Sequence, residues 1–364
     1  MRFARIGLLA LGGWLSLGAA SAEPKPATAG AKPPASGASC KIGDLAECTA
    51  KCEQKDALSC ARVGEIYVQG RAVAFDGAKA SSLFKQACDG GSRVGCVNLG
   101  LSYQLGRGVP QDDARAVAEY QRACDAKDAF ACAHLGFMYR FGRGGLAADE
   151  SRAFALMSQA CTEGSTLGCT WLGELYDHGL GTPKDEKRAF GLFKEACDKG
   201  FALSCAHLGI MYGAGKGTPK NGAKAVDLYT QACNEKDMLG CLELGLVLEK
   251  GQGALKKDPA KAFTLLTEAC DHREMAACNE LGVAYAEGKG IAKDLPKAVE
   301  YYKLACDHHE MLACGNYGWH LFKGLGIAKN EAEGVALLQK SCDAKEKFGC
   351  DKLKATGKKA ATAR

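Results

Sequence analysis

The cysteines are the residues of this sequence whose type and spacing could do chemistry. All 20 of them fall into ten pairs, and the two members of each pair lie eight positions apart. Paired thiols can form a disulfide, bind a metal ion or take part in redox exchange. Zinc sites favour two to four residues between paired thiols, and redox-active thiols are usually closer as well. We therefore predict a structural role for these pairs, with no metal ion and no cofactor.

Two other groups of residues were weighed as chemical sites. Cys48 and Cys52 are more closely spaced, but no set of histidines and cysteines lies nearby to complete a metal site. Ser82 and Lys85 match the Ser-x-x-Lys pattern that supplies the nucleophile in penicillin-binding enzymes. No Ser-Asp-Asn or Lys-Thr-Gly sequence accompanies this match. The sequence therefore gives no reason to assign a catalytic residue.

The cysteine pairs recur at a nearly constant interval along the chain. From Cys52 onward, the first members of successive pairs are 36 or 37 residues apart. A fixed period of this size is typical of a stacked repeat array, in which each unit packs only against its neighbours. A unit this small cannot bury its apolar side chains alone. The units must therefore stack to form a continuous core.

A first helix is predicted to begin between the two cysteines of each pair, so that each pair joins the last turn of one helix to the first turn of the next. Leu135, Gly136 and Tyr139 stand three, four and seven positions after Cys132, which places them on one helix face. Glycine recurs at this place in all eight repeats, although it costs about 1 kcal/mol inside a helix. We predict that its missing side chain lets the next helix approach the backbone. A later glycine, such as Gly142, is predicted to end the helix.

A second helix is predicted between that glycine and the next cysteine pair. It begins at an aspartate or asparagine, such as Asp112 or Asn221, which is typical of an N-cap. Most first helices are also preceded by aspartate or serine, whereas Phe201 breaks this pattern and Glu274 and Glu310 fit it poorly. Each repeat is then a helical hairpin, and the sequence predicts an all-α fold, an α/α solenoid.

The beginning of the chain reads as an export signal. Residues 1–22 have a basic start, an apolar run and the small residues Ala20, Ser21 and Ala22 before the expected cleavage point. The run is too short and too rich in glycine for a membrane span. We expect an exported protein, periplasmic or secreted, with no transmembrane span after processing. These compartments keep thiols oxidised, which agrees with the even number of cysteines.

The rest of the chain divides by composition and by repeat. We predict a disordered Pro/Ala-rich linker over 23–39, an N-terminal cap over 40–60, the repeat solenoid over 61–350 and a basic tail over 351–364.

The repeating unit resembles a known family. It reads Cys-x2-Leu-Gly-x2-Tyr-x2-Gly-x-Gly, followed by Lys/Arg-Ala and Ala-Cys, and it resembles the Sel-one-like repeat, a relative of the tetratricopeptide repeat. The cysteine pair is similar to that of the Helicobacter cysteine-rich proteins. The match covers about residues 52–350. The resemblance implies antiparallel helix pairs that stack into a right-handed superhelix, with a concave face lined by each first helix.

The resemblance also implies one disulfide within each pair of cysteines. The expected disulfides are Cys40–Cys48, Cys52–Cys60, Cys88–Cys96, Cys124–Cys132, Cys161–Cys169, Cys197–Cys205, Cys233–Cys241, Cys270–Cys278, Cys306–Cys314 and Cys342–Cys350. Residues 40–52 depart from the repeat pattern, so Cys40–Cys52 is an alternative for the first of these.

Variable positions beside the buried stripe of the first helix suggest a binding groove. The predicted groove residues are Leu101, Leu105, His134, Phe137, Phe141, Trp171, His207 and Ile210. Apolar and aromatic side chains on an open face are typical of a partner surface; the alternative is that tight packing buries them. His134, His178 and His207 were also weighed as a metal or acid–base set. Neighbouring repeats lie ~10 Å apart, which is too far for shared ligation.

These features predict a binding scaffold and not an enzyme. We expect a monomer that holds an unknown protein, peptide or cell-wall fragment in its groove. The net charge of +5 is weak support for a polyanionic partner, and no motif marks a nucleotide, nucleic-acid or haem site. Some members of the resembled family are described as penicillin-binding proteins or slow β-lactamases, so a weak hydrolase of that kind is the alternative. A purely structural spacer is a third hypothesis.

Overall fold

The computed structural model describes residues 40–41, 43–70, 72–252 and 255–357, and these residues form helices and short connections without a β-strand. They form two compact units, an N-terminal unit that ends at Lys199 and a C-terminal unit that begins at Gly200. The predicted all-α repeat solenoid is confirmed. The predicted signal peptide, the predicted linker and the end of the predicted basic tail lie outside the described residues.

Eighteen helices follow one another in the described residues. They are α1 (Leu45–Glu53), α2 (Ala57–Gln69), α3 (Gly77–Asp89), α4 (Arg93–Leu105), α5 (Asp113–Asp125), α6 (Ala129–Phe141), α7 (Glu150–Thr162), α8 (Thr166–His178), α9 (Glu186–Asp198), α10 (Ala202–Ala214), α11 (Gly222–Asn234), α12 (Met238–Lys250), α13 (Pro259–Asp271), α14 (Met275–Glu287), α15 (Leu295–Asp307), α16 (Met311–Lys323), α17 (Glu331–Asp343) and α18 (Lys347–Thr356). The even-numbered helices α2 to α16 are the first helices of the repeats, and the odd-numbered helices α3 to α17 are the second helices. The helix α1 precedes the first repeat and packs against α2, and the helix α18 follows the last repeat and packs against α16 and α17.

The predicted signals for helix ends are confirmed. At the start of α5, Asp112 Oδ1 accepts a hydrogen bond of 3.0 Å from the backbone N–H of Arg115. At the end of α6, Gly142 has a φ of 61°, in the left-handed region where glycine is favoured. Phe201 and Glu274 make no side-chain cap at the starts of α10 and α14. Local sequence therefore fixes where most helices begin and end.

The glycine inside each first helix makes room for the second helix of the same repeat. A Cβ atom on Gly100 would lie 2.7 Å from Cε1 of Tyr120, and a Cβ atom on Gly64 would lie 2.5 Å from Cε1 of Phe84. Real Cβ atoms do not approach ring carbons this closely. The predicted reason for these glycines, close approach of the next helix, is confirmed. Tyr120 and Phe84 are almost fully buried as a result.

Glycines in the loops set the contact between successive repeats. Gly181 follows α8 with a φ of 65°, and a Cβ atom there would lie 2.1 Å from the backbone oxygen of Glu150, at the start of α7 in the preceding repeat. Gly290 is similarly close to the backbone oxygen of Pro259. The loop of one repeat therefore packs directly on the backbone of the preceding one, and only glycine fits there.

We predict that Gly181→Ala lowers the free energy of unfolding by about 2 to 3 kcal/mol, because the new methyl group meets a backbone carbonyl and strains a left-handed residue. Gly145→Ala is the matched control, since Gly145 also has a positive φ of 82° but has nothing within 4 Å of its Cβ position. That control should cost about 1 kcal/mol. Urea unfolding followed by circular dichroism measures both, and equal costs would contradict the proposed backbone contact.

The last helix extends beyond the repeat array. Since α18 reaches Thr356, the first part of the segment predicted as a basic tail is helical. Of the helices in the described ranges, none has the length and apolar character needed to span a bilayer.

Candidate partner-binding site

The residues predicted to form a groove lie on four first helices, and the structure buries half of them. His134, Phe137, Trp171 and His207 are buried, whereas the side chains that remain half-buried are Leu101, Leu105, Phe141 and Ile210. Leu101 and Leu105 lie one turn apart on α4. His207 and Ile210 lie on α10, in the C-terminal unit. The groove therefore remains a prediction, and the residues within it that solvent can reach are the four half-buried ones.

An aromatic cluster joins α6 to α8 in the N-terminal unit. The ring centroids of Phe137 and Phe141 are 4.7 Å apart, and those of Phe137 and Trp171 are 5.3 Å apart. His134 meets the Trp171 ring edge-on at 5.3 Å. Contacts of this kind stabilise a pair of rings by about 0.5–1.5 kcal/mol beyond the area they bury. The cluster therefore forms a rigid floor, and the ring of Phe141 is its half-exposed edge.

The imidazole of His134 is enclosed by rings. Tyr120 stacks on it at 5.1 Å and Phe130 lies 4.5 Å away. Neither ring nitrogen has a hydrogen-bond partner among the described residues. Burial away from water lowers the pKa of His134 to about 3, because a charged imidazolium would lose its hydration there. His134 is therefore neutral at ordinary pH and serves as a packing residue.

A buried ion pair also joins α6 to α8. Arg140 Nη1 lies 2.8 Å from Glu174 Oε2, and only 7% and 8% of their side-chain surfaces are exposed. The guanidinium of Arg140 also lies 4.9 Å from the centre of the Phe141 ring. This pair was not predicted from the sequence. The feature of the sequence that could have indicated it is Glu174, an acidic residue at a position where several other repeats have an apolar residue, such as Leu101, Phe137 or Ile210.

The other chemistry weighed from the sequence finds no support in the geometry. His178 lies beside Asp177, at 3.9 Å between Nε2 and Oδ2. Among the described residues, one group of potential metal ligands converges, formed by Cys88, Cys96 and Glu119. The two cysteines are joined as a disulfide, so neither offers the thiolate that a metal requires.

The Ser82 and Lys85 match lies on the second helix α3. Ser82 is exposed to solvent. Lys85 Nζ lies 2.6 Å from Asp89 Oδ2, and this hydrogen bond raises the pKa of Lys85 above its ordinary value. A lysine that activates a serine needs the opposite shift. The geometry gives this pair no catalytic role.

From Cys52–Cys60 onward, disulfides join the end of one helix to the start of the next. Nine of them join cysteines eight positions apart, namely Cys40–Cys48, Cys52–Cys60, Cys88–Cys96, Cys124–Cys132, Cys161–Cys169, Cys233–Cys241, Cys270–Cys278, Cys306–Cys314 and Cys342–Cys350. Cys197 and Cys205 are disulfide-bonded as well, and none of the described cysteines is free. Cys40 bonds to Cys48 and not to its sequence alternative, Cys52.

We predict that replacing Cys124 and Cys132 together by serine lowers the free energy of unfolding by about 2.6 kcal/mol, the entropy that a closed loop of nine residues removes from the unfolded chain. Equilibrium urea unfolding measures the change. The same double replacement studied with reductant present in both samples is the control, because all disulfides are then open. A loss that persisted in reductant would come from packing of the serines and would contradict the crosslink explanation.

The fold and the disulfides define a helical-repeat scaffold with a partly open apolar face. The chain belongs to the Sel1 repeat family. Its repeats cover residues 57–92, 94–128, 129–165, 166–201, 202–237, 239–273, 276–309 and 312–345. The resemblance to this family is thus confirmed.

Solved structures of other repeat proteins are similar to this chain. A Sel1 repeat protein from Oxalobacter formigenes is 24% identical, with a TM-score of 0.55, over 62% of this chain and 89% of that one. A protective antigen of uropathogenic Escherichia coli with an SLR fold is 28% identical over 86% and 67% (TM-score 0.49). Cysteine-rich protein B of Helicobacter pylori is 33% identical over 36% and 92% (TM-score 0.30). No curated protein matches the chain.

Proposed function

We propose that the protein is an exported scaffold that binds an extended protein segment on the first helices of its N-terminal unit. The contact residues are Leu101 and Leu105 on α4 and Phe141 on α6. The observation that carries this proposal is the half-exposure of all three side chains. Phe141 in addition lies against the buried ring of Phe137, at 4.7 Å between ring centroids. Apolar side chains at the edge of a packed cluster are typical of binding surfaces.

The rigidity of the floor supports a binding role. The ring of Phe141 packs against the ring of Phe137, at 4.7 Å between ring centroids. The guanidinium of Arg140 lies 4.9 Å from the centre of the Phe141 ring. A partner that docks on Phe141 does not have to immobilise it, so the entropic cost of binding is small. A flexible side chain would cost about 0.5–1.5 kcal/mol to order. The geometry therefore favours recognition of a partner over bond-breaking chemistry.

Export is the second part of the proposal. Disulfides persist in the periplasm or outside the cell and are rare in a reducing cytosol. All cysteines in the described residues are paired as disulfides. This supports an oxidising compartment, in agreement with the predicted signal over residues 1–22.

Substitution of the half-exposed residues tests the binding face. We expect the double variant Leu105→Asp and Phe141→Asp to keep its helical circular-dichroism spectrum and to bind its partner at least tenfold more weakly, because each loses an apolar contact and gains a charge at the interface. The measurement compares the amounts of partner that the double variant and the unaltered protein capture from a periplasmic extract. Mass spectrometry identifies the captured partners. Substitutions at Phe137 or Trp171 are less useful, since both are buried and an aspartate there would also disturb folding.

Leu304→Asp is the matched control, because Leu304 is an exposed leucine on the second helix α15 of the C-terminal unit. It introduces one such charge away from the proposed face and should leave capture unchanged. Equal capture by the double variant and the unaltered protein would contradict the proposed face. Absence of any specific partner for the unaltered protein would favour the structural spacer instead, and capture of glycan without protein would favour a cell-wall fragment.

A further inference from the structure

The loops that join first to second helices in the C-terminal unit form a row of equivalent lysines. Each of these lysines stands directly before the N-cap residue of a second helix, and its Cβ atom lies 3.0–3.5 Å from the position that a Cβ atom would take on the glycine ending the first helix. The four residues are Lys220, Lys257, Lys293 and Lys329. Because the local geometry repeats, their side chains leave the same point of each loop.

Most of the charge in this row is not compensated. Lys220, Lys257 and Lys293 are exposed, and within the described residues no carboxylate lies within ion-pair distance of any of the three. Lys329 is the exception, since its Nζ lies 2.6 Å from Glu331 Oε1. A further lysine, Lys224, follows Lys220 in the sequence at the start of α11, and its Nζ lies 5.2 Å from the centre of the Tyr212 ring.

The corresponding loops of the N-terminal unit are different. Basic residues there pair with the capping aspartates of three second helices, as Arg115 does with Asp112 at 3.2 Å. Among the described contacts of the C-terminal unit, Lys297 makes such a pair with Asp294, at 3.8 Å. Arg143 pairs with Asp113 at 2.8 Å. The residues directly before the caps are Phe75, Gln111, Ala148 and Lys184. Lys184, the N-terminal lysine at this position, pairs with Glu186 at 2.6 Å. Within the described residues, lysines directly before the cap that lack an ion pair therefore occur in the C-terminal unit.

Apolar side chains are exposed on the same loops. Ile291 is 38% exposed, between Lys289 and Lys293, and Leu325 is 37% exposed, shortly before Lys329. A soluble acidic polymer would use the lysines but would gain little from these two side chains. A lipid bilayer uses both, because its headgroups attract lysines and its interfacial region accepts apolar side chains.

We propose that this row of loops, from Lys220 to Lys329, is a peripheral attachment surface for an anionic lipid bilayer. The lysines bind lipid phosphates, and Ile291 and Leu325 enter the headgroup region. The proposal is independent of the partner-binding face on the N-terminal unit.

Sedimentation with vesicles tests this attachment. We expect the protein to bind vesicles of phosphatidylglycerol and phosphatidylcholine but not vesicles of phosphatidylcholine alone, and we expect binding to be lost at 0.5 M salt, as screening requires at about that ionic strength. Each lysine near an anionic surface contributes about a fivefold gain in affinity. The triple variant Lys220→Ala, Lys257→Ala and Lys293→Ala should therefore bind about a hundredfold more weakly.

Two further variants separate the lipid surface from other causes. The triple variant Lys236→Ala, Arg273→Ala and Lys345→Ala removes the same charge from the opposite ends of the hairpins and should bind almost as well as the unaltered protein. The double variant Ile291→Ser and Leu325→Ser should bind anionic vesicles severalfold more weakly. Circular dichroism confirms that each variant is folded.

Three results would overturn the proposal. They are equal binding to neutral and anionic vesicles, equal losses in the two triple variants, and binding of the unaltered protein to soluble polyphosphate without binding to vesicles. The last would assign the lysines to a soluble polyanion.

Discussion

Replacement of Arg140 by methionine should lower the free energy of unfolding by about 3 to 5 kcal/mol. The substitution leaves the carboxylate of Glu174 buried without the guanidinium that lies 2.8 Å from it. A buried carboxylate is costly when the loss of its hydration is less offset by opposite charge. Methionine keeps most of the volume and the apolar stem of arginine, so the loss comes from charge and not from a cavity. Urea unfolding of the two proteins measures the difference.

Two variants make this expectation specific. Arg143→Met removes an arginine three positions away whose pair with Asp113 is about a quarter exposed, and it should cost about 1 kcal/mol or less. The double variant Arg140→Met and Glu174→Met removes both buried charges and should recover much of the stability, since an apolar pair of similar volume is often as stable as a buried ion pair. If Arg140→Met costs no more than Arg143→Met, Glu174 is not the buried partner that the structure shows.

Acid should destabilise the protein through His134. The folded-state pKa of about 3 lies below the ordinary value of about 6.5, so the unfolded chain takes up a proton more readily than the folded one. Stability from this group is fully present above pH 6.5 and is lost progressively as the pH falls toward 3. By linkage, about 3 kcal/mol should be lost between pH 7 and pH 4. Urea unfolding at a series of pH values measures the loss.

The variant His134→Phe distinguishes the contribution of His134 to acid sensitivity from that of the other groups that titrate in acid. His134→Phe keeps an aromatic ring beside Tyr120, Phe130 and Trp171 but cannot be protonated, so its stability should fall less between pH 7 and pH 4 than that of the unaltered protein. His308→Phe, at an exposed position, is the matched control for the loss of one histidine. Equal acid sensitivity of the unaltered protein and His134→Phe would show that His134 is not buried in its neutral form.

Local signals in the sequence predict most of the fold. Asp112 and Gly142 act as the cap and the stop that their types and positions indicate. The predicted reason for a glycine at position 100 is confirmed, because the ring of Tyr120 occupies the space that a side chain there would need. These features depend on residues a few positions apart, or on the repeat period itself. Short-range spacing and periodicity are the two kinds of information that a single sequence contains most directly.

Contacts between repeats are less accessible from the sequence. Arg140 and Glu174 are 34 positions apart, and periodicity indicates which face each occupies but not which side chains meet. The sequence left open whether His134, Phe137 and Trp171 are exposed, because the same apolar stripe suits a groove or a core. The answer depends on how closely α6 and α8 approach, which is set by side-chain volumes on both helices.

Lysine in a left-handed conformation is a further feature that the sequence did not reveal. Lys127 has a φ of 65° in the turn between α5 and α6, where the equivalent turn before α8 has Gly164. The positive charge lies just beyond the end of α5 and interacts favourably with the partial negative charge of that helix end. This gain of about 0.3–1 kcal/mol offsets part of the backbone strain.

The short span of every described disulfide has a consequence for how such chains can change length. Each described bond spans a short turn, and bonds such as Cys124–Cys132 tie the second helix of one repeat to the first helix of the next. Each repeat contributes the second cysteine of one bond and the first cysteine of the next. A whole repeat can then be duplicated or deleted by recombination without leaving an orphan thiol, because the flanking cysteines meet again at the same spacing. The protein thus combines heavy covalent reinforcement with a modular length, a combination that long-range crosslinks would forbid.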